Sequence, residues 1–413
     1  MAAALQEGIY HAPGKRPGRF FGLLFLRAAP GATAQDAADA LADLWELYGE
    51  LKAGRLRDLE GVQLPGADDN LTLLLGLGRN AFELEGTALP LPRGLGDEFL
   101  FRSAQPSGGG PLLRGSGLRY APDVRANMAT EHFCVQVIAD VKLAVDRVVV
   151  ETWKALADGV DPDDGGPSLA LTTFYLGFQR NDHRSWIDFH DGLSNLRSED
   201  REAVIAIAPG SDEEWAVGGT YLAFLRLAVD LVGWRGLSRR DQELAVGRDK
   251  LTGCPITAVD GERLETDPGC PVAGTQISEQ PNDAPFAEPP ETDDSVIKAS
   301  HVQRANHHQR PASDPGSRRI FRQGYEFLEW SASAPGFSAG LNFVSFQDTP
   351  GRLLRMLTAE GWLGRTNFGG DERGRPALAG LLSVYAAGVY FAPPVLDGAR
   401  FPGEAALAGG GEP

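Results

Sequence analysis

Cysteine is scarce in this chain: there are three in 413 residues, Cys134, Cys254 and Cys270. None forms a CxxC unit and no His/Cys cluster surrounds them. Neither a zinc nor an iron–sulfur site is therefore expected, and all three are expected to be plain reduced thiols. Positive charge is also short, with 39 Lys and Arg against 56 Asp and Glu and a formal charge of −17. That balance argues against a general nucleic-acid binder or a partner for anionic lipid, both of which need basic patches. No uninterrupted apolar run is long enough to span a bilayer. The N-terminal stretch MAAALQEGIYHAPGKRPGRFF shows no charged leader with an apolar core and a small-residue cleavage site, and no twin-arginine pair. A cytoplasmic location is expected.

What is present is a globular composition, 42% hydrophobic and 23% charged, on a chain long enough for two cores. Phe20–Leu26 (FFGLLFL) reads as a central strand. Thr33 and Asp36 form a capping signal, and Ala37, Leu41, Leu44, Trp45, Tyr48 and Leu51 follow at helical spacing. Leu71–Leu77 reads as a second strand, giving a βαβ-type unit. His132–Ala139 and Leu169–Leu176 read as strands around a helix over Asp140–Asp158, with Val141, Ala144, Val148 and Trp153 inward. Strand, helix, strand, repeated, predicts a ferredoxin-like α+β domain with helices on an antiparallel sheet.

The pattern starts again near Glu199. Ala203–Ala208 and Thr220–Val229 read as strands, and Ser238 caps a helix running through Val246. Leu341–Phe346 reads as a strand, Pro350 suits the first turn of a helix through Glu360, and Leu381–Phe391 is the last strand. The tail AALAGGGEP reads as frayed. Two ferredoxin-like domains are expected, over 1–198 and 199–413. The glycine-rich stretch 101–127 lacks a GxxxxGK[ST] pattern and reads as a flexible loop. Thr252–Ala299, dense in Pro, Gly, Asp and Glu, reads as a long structureless stretch of the kind that is functional or disordered.

Chemistry concentrates in Ser300–Phe327, SHVQRANHHQRPASDPGSRRIFRQGYEF, which holds three histidines and five arginines within a strongly acidic protein. Taken alone, His301 reads as a structural histidine, Arg322 as a surface ion-pair residue and Asp191-Gly192 as a turn. Two further stretches change the weight: IDFHDGLSNL at Ile187–Leu196, and GGTYLAFLRLAVDLVGWRGLSRRDQELAVGRDKLTGCPI at Gly218–Ile256. Together with GLNFVSFQ at Gly340–Gln347 they resemble the dye-decolorising peroxidases, a haem family with two ferredoxin-like domains. The resemblance runs in order over roughly residues 6–395 and is clearest from 170 to 362.

The resemblance implies haem b (iron protoporphyrin IX) in a pocket of the C-terminal half. His301, in the HxxRAN-like segment, is implied as the proximal iron ligand. Asp191, with Gly192 in the GxxDG motif, is implied as the distal acid/base. Arg322, shortly before Gly324-Tyr325, is implied as the distal charge stabiliser. Arg304 and Asn306 match the pattern near the haem, with Arg304 a partner for a propionate. Asp188 stands where the motif has its first glycine, a place that serves an unusual turn or a close approach. His307 and His308 are read as non-ligands. For Tyr325, Trp330 and Trp362 core packing is expected ahead of any electron relay.

These residue types suit the chemistry. Neutral imidazole is a common haem-iron ligand. A carboxylate can move one proton between the two oxygens of a peroxide, and a guanidinium keeps its charge at any working pH. With Asp titrating near 3.9 and His near 6.5 when unperturbed, a mildly acidic optimum is expected. The implied partners are hydrogen peroxide and an organic, phenolic or dye-like electron donor. Neither nucleic acid nor membrane is called for, and a homo-oligomer stays open. Two rivals remain: a haem-binding or haem-delivery protein with only incidental peroxidase activity, and a metal-free binding module for an anionic ligand.

Overall fold

The computed structural model describes residues 4–59, 61–63, 69–96, 120–125, 131–158, 167–182, 184–191, 193, 195–270, 289–305, 310–312, 314, 316–357 and 381–408. In the first half β1 (Phe20–Ala28) leads to α1 (Ala34–Lys52) and β2 (Thr72–Leu77). After β3 (Tyr120–Arg125) come β4 (Phe133–Ala139), α2 (Lys142–Asp158) and β5 (Leu169–Phe178). The start of α1 is set as the sequence suggests: Thr33 and Asp36 bond reciprocally to each other's backbone N–H groups. β5, β1, β4 and β2 lie side by side in that order, all antiparallel.

The second half begins with α3 (Ser198–Ile205), β6 (Thr220–Val229), α4 (Leu231–Arg235) and α5 (Arg239–Val246), followed by a hairpin of β7 (Ile256–Asp260) and β8 (Arg263–Thr266). Then come α6 (Ser295–Lys298), α7 (His301–Ala305), β9 (Phe321–Arg322), β10 (Tyr325–Trp330), β11 (Phe337–Gln347), α8 (Gly351–Leu357), β12 (Leu382–Ala392) and α9 (Glu404–Ala408). β12, β6 and β11 are neighbours, with β9 and β10 both pairing β11. Each half is thus an antiparallel sheet with its first strand, β1 or β6, in the interior, the α+β, ferredoxin-like arrangement expected from the sequence. The two sheets meet at both edges, through Leu77 opposite Phe391 and Glu326 opposite Phe178.

Three apolar layers follow from the alternation of side chains along the strands. Between the sheets lie Phe21, Phe25, Phe224, Phe346 and Tyr390, all fully buried. Each buried ring of this size is worth about 1.5–3 kcal/mol in area removed from water. The outer face of the first sheet packs on α1 and α2. The outer face of the second packs on the helical segments through Trp234, Val246, Val302 and Leu353, and this layer is the one that opens into a cavity.

Several expectations are corrected. Ala203–Ala208 is not a strand: Ser198–Ile205 is helical, with Glu199 and Asp200 in its first turn, where acids suit the helix dipole. Arg201 anchors that helix by donating to Leu196 O and His11 O. The inward face of α2 is Val145, Val148, Val149 and Leu156, whereas Val141 and Trp153 are exposed. Part of the glycine-rich loop, Tyr120–Arg125, is a strand parallel to β12. Thr252–Ala299 holds the β7–β8 hairpin and α6. The tail carries α9, with Ala406 and Leu407 buried against the first core. Trp330 is no core residue, being 82% exposed, while Tyr325 is fully buried and stacked on Phe21 at 4.6 Å. Trp362 lies outside the described residues.

The thiol expectation also falls. Cys254 and Cys270 form a disulfide, their Cα atoms 6.0 Å apart, and Leu193 packs on it. Cys134 is buried without a sulfur partner, and burial pushes its thiol well above the ordinary range. Titrated in denaturant without reductant, the chain should show one reactive thiol; after reduction it should show three. In the native state, Cys134 should stay silent.

Candidate functional site

The outer face of the second sheet ends in a cavity of about 570 Å³. Its size is that of a pocket for an organic ligand or cofactor. The apolar wall is the alternating face of the strands: Leu225 and Leu227 of β6, Leu341 and Phe343 of β11, and Leu382 of β12. Val246, Val302 and Met356 close it from the helical side. Around this wall, among the described residues, stand six arginines (Arg248, Arg310, Arg318, Arg319, Arg322 and Arg355) and two acids, Asp191 and Glu326. A flat apolar body carrying carboxylates fits such a lining; a small cation does not. No group of three or more His, Cys, Asp or Glu among the described residues is placed to hold a bare metal ion. Of the two imidazoles in the wall, His190 and His301, one is enough for a metal already held by an organic ring, and His301 is the one on the helical side.

His301 is that imidazole. It opens α7, which lies against the end of α5. The approach depends on Gly247, which caps α5 at φ +89°; a Cβ there would run into Ser300 and Val302, on either side of His301. Loss of water around the ring holds His301 down at about 4, and the Arg322 and Arg248 cations push the same way. At neutral pH the ring is therefore uncharged, the form that can bind a metal. Arg248 is 4% exposed and donates to Gly253 O at 2.8 Å. Burial and the neighbouring Arg322 push its pKa down, but a guanidinium remains charged at working pH.

Asp191 reaches the same cavity from the loop after β5. That loop turns at Asp188, whose φ of +65° is the left-handed conformation a glycine takes most readily. The substituted position is thus a real turn, and the aspartate adopts it. The Asp188 side chain points to the surface and pairs with Lys250 at 3.4 Å. Next along the loop, His190 lines the cavity with Nδ1 at 2.8 Å from Asp191 O.

Arg322, at the end of β9, lines the same cavity as Asp191. One side chain ties the two segments together. Asn195 donates from Nδ2 to Arg322 O at 2.8 Å and accepts from Arg322 N at Oδ1 at 3.1 Å. Its amide thus acts as a short piece of strand between them. Asn195, Arg248 and Glu326 were not singled out from the sequence. All three stand inside the stretches singled out there, Glu326 in Ser300–Phe327, which was the one signal available for them.

Glu326 has the least ordinary chemistry of the lining. It follows the core residue Tyr325 on β10 and so faces the opposite side, 6% exposed. Burial raises its carboxyl to about 8, and the Asp191 charge adds to the rise. The Trp186 backbone N–H and the Arg180 cation pull the other way, with Asp182 adding a smaller upward push.

The remaining expected site residues divide. Arg304 is half-buried, with Nε donating to Ala299 O at 3.2 Å, and it does not line the cavity; Arg310, Arg318 and Arg319 do. Gly192, Asn306, His307 and His308 lie outside the described residues.

Comparison with known proteins gives one consistent answer. A family model described as "Dyp-type peroxidase, C-terminal" matches residues 182–397. A dye-decolorizing peroxidase of Thermobifida fusca is 29% identical over 231 residues, 53% of this chain and 46% of that protein. A deferrochelatase of Escherichia coli O157:H7 is 25% identical over 300 residues, 71% of this chain and 61% of that protein. The matches thus span about half to three-fifths of these relatives' length. Among solved structures, a DyP-type peroxidase from Cellulomonas bogoriensis superposes with a TM-score of 0.65 at 19% identity, covering 97% of this chain and 96% of that one.

Glu326 yields a stability test. Its folded value, about 8, lies above the ordinary 4.5, so the folded protein keeps a proton that the unfolded chain releases. The stabilisation is complete below about 4.5 and declines as pH rises towards about 8, beyond which it is gone. Glu326→Gln, uncharged throughout, should melt above the parent at pH above 8 and level with it near pH 4.5. Thermal melts of both proteins across that range read this directly.

Proposed function

The chain belongs to the DyP-type peroxidase family, and from that membership we propose that it is a haem peroxidase reducing hydrogen peroxide at the expense of phenolic or dye-like donors. What carries this reading is that His301, Asp191 and Arg322 line one cavity with an apolar floor and an arginine rim. His301 would hold the haem iron, and Arg310, Arg318 and Arg319 would receive its propionates as charge-assisted partners. Haem, when bound, supplies the redox centre that accepts two oxidising equivalents and returns them one electron at a time. Haem b as the porphyrin belongs to the same proposal. So does a division of the chain near residue 198, with Asp191 at the end of one half and His301 and Arg322 in the other.

The chain's own part is proton and charge management. The Asp191 carboxylate takes the proton from one peroxide oxygen and returns it to the other, which leaves as water. Arg322, lining the same cavity, stabilises negative charge on the departing oxygen. The overall balance is one peroxide, two electrons and two protons to two waters, the donor giving up one electron in each of two steps. Among the described residues no helix is long and apolar enough to cross a membrane. A cytoplasmic setting is part of the proposal on condition that the Cys254–Cys270 pair stays oxidised there, which thiol counts on protein from intact cells would decide.

The relatives named deferrochelatase favour one second reading, a protein that binds or hands on haem with only incidental peroxidase activity. A pyridine–haem assay with stopped-flow peroxide mixing between about pH 4 and 7, across the carboxylate range, separates the two. The peroxidase reading expects a Soret band and rapid peroxide consumption. Asp191→Ala and Arg322→Leu should each slow that reaction by on the order of 10²–10³-fold with haem still bound, whereas His301→Ala should weaken haem retention. Firm haem binding with negligible peroxide reactivity would select the delivery reading, and a protein that hemin cannot colour would end both.

A further inference from the structure

Beside the main cavity lies a second, smaller cleft of about 80 Å³. The two share four residues of wall: Asp191, Arg322, Glu326 and Leu341. Tyr10, Arg180, Arg184 and Arg201 border the cleft but not the main cavity. Glu326 and Asp191 are thus the two acids of the partition, one carboxyl reaching both spaces from β10 and the other from the loop after β5. The segment just before β10 comes close to Asp191: a Cβ on Gly324 would stand in ordinary contact, 3.4 Å from Asp191 Oδ2.

We infer that Glu326 resupplies the proton on Asp191, carrying protons from the smaller cleft into the main cavity. The inference rests on the peroxidase reading and deepens it. The first half of the reaction needs no outside proton, since both protons of the peroxide leave with the first water. The second oxygen leaves as water only after two electrons and two protons have arrived. A bulky donor oxidised outside the cavity delivers electrons but leaves its protons outside, so those protons need a path of their own. Glu326 loses a proton to Asp191 and regains one from water in the cleft; no bond other than O–H forms or breaks.

The surroundings suit this traffic. Burial and Asp191 keep the Glu326 carboxyl protonated up to about pH 8, so it has a proton to give where Asp191 needs one. Asp182 supports the protonated form, whereas Arg180 and the Trp186 backbone N–H favour release. Arg322, Arg184 and Arg201 are the other cations bordering the cleft. A purely structural acid would need only its hydrogen bond to Trp186, and a glutamine would fill that place as well.

Glu326→Gln, reconstituted with hemin, makes the test. Haem content and the first, donor-free reaction with peroxide should stay within about twofold of the parent, while steady-state turnover with a bulky dye should fall on the order of tenfold or more. The parent's alkaline fall in turnover near pH 8 should vanish in the variant. Its solvent deuterium isotope effect should change, and Glu326→Asp should recover most of the loss. Independently of activity, infrared spectra of the purified parent at pH 6 should show a buried protonated carboxyl that Glu326→Gln lacks. A Gln variant that turns over like the parent, or a parent lacking that carboxyl band, overturns the relay. A parent that takes up hemin yet ignores peroxide sinks the peroxidase reading, and the relay with it; an active parent with an indifferent Gln variant sinks the relay alone.

Discussion

The Asn195 amide bonded to both backbone groups of Arg322 is the contact on which the rest of the site depends. It joins segments 127 residues apart, one bearing Asp191 and the other Arg322. Two hydrogen bonds of this kind contribute ~1 kcal/mol each to stability. Their larger effect is geometric. An acid and a guanidinium that must act on one small molecule cannot each sit on an independently moving loop. Close by, the single bridge between Glu326 and Phe178 joins the two sheets along the same seam. The seam between halves and the seam of the cavity are therefore one feature.

The opposite wall follows a different logic. His301 owes its place to a bare glycine. Gly247 ends α5 in the left-handed conformation and leaves room for the turn that begins α7. Burial and two nearby guanidinium groups then keep the imidazole neutral. Arg248 and Arg322, distinct from the Arg310, Arg318 and Arg319 that would hold carboxylates, thus help burial prepare the ring for a metal.

Much of the scaffold was legible in residue order. FFGLLFL, the Thr33 cap, TYLAFLRLAV and the Ser238 cap each became the expected element because local pattern and tertiary demand agree there. Ala203–Ala208 misled because an apolar run of six residues suits either a strand or a buried helix. What decided it was Arg201 reaching His11, far away in the chain. Pairing of Cys254 with Cys270 was equally invisible, since spacing alone does not say which thiols meet. Around the site, Asp191, Arg322 and His301 were marked by motifs, and the cavity brings them together. Asn195 and Glu326 lie inside the marked stretches, but they act through partners more than a hundred residues away, so local pattern gives them no role.

The chain bears a formal charge of −17 yet lines its cavity with six arginines. From a distance a doubly anionic porphyrin meets a repelling molecule; only at the mouth does the field reverse. The Debye length is about 8 Å at physiological ionic strength and about 30 Å at 0.01 M. Added electrolyte hides the acidic exterior first and the recessed lining last. Uptake of hemin should accordingly speed up with moderate salt, the reverse of ordinary attraction between opposite charges.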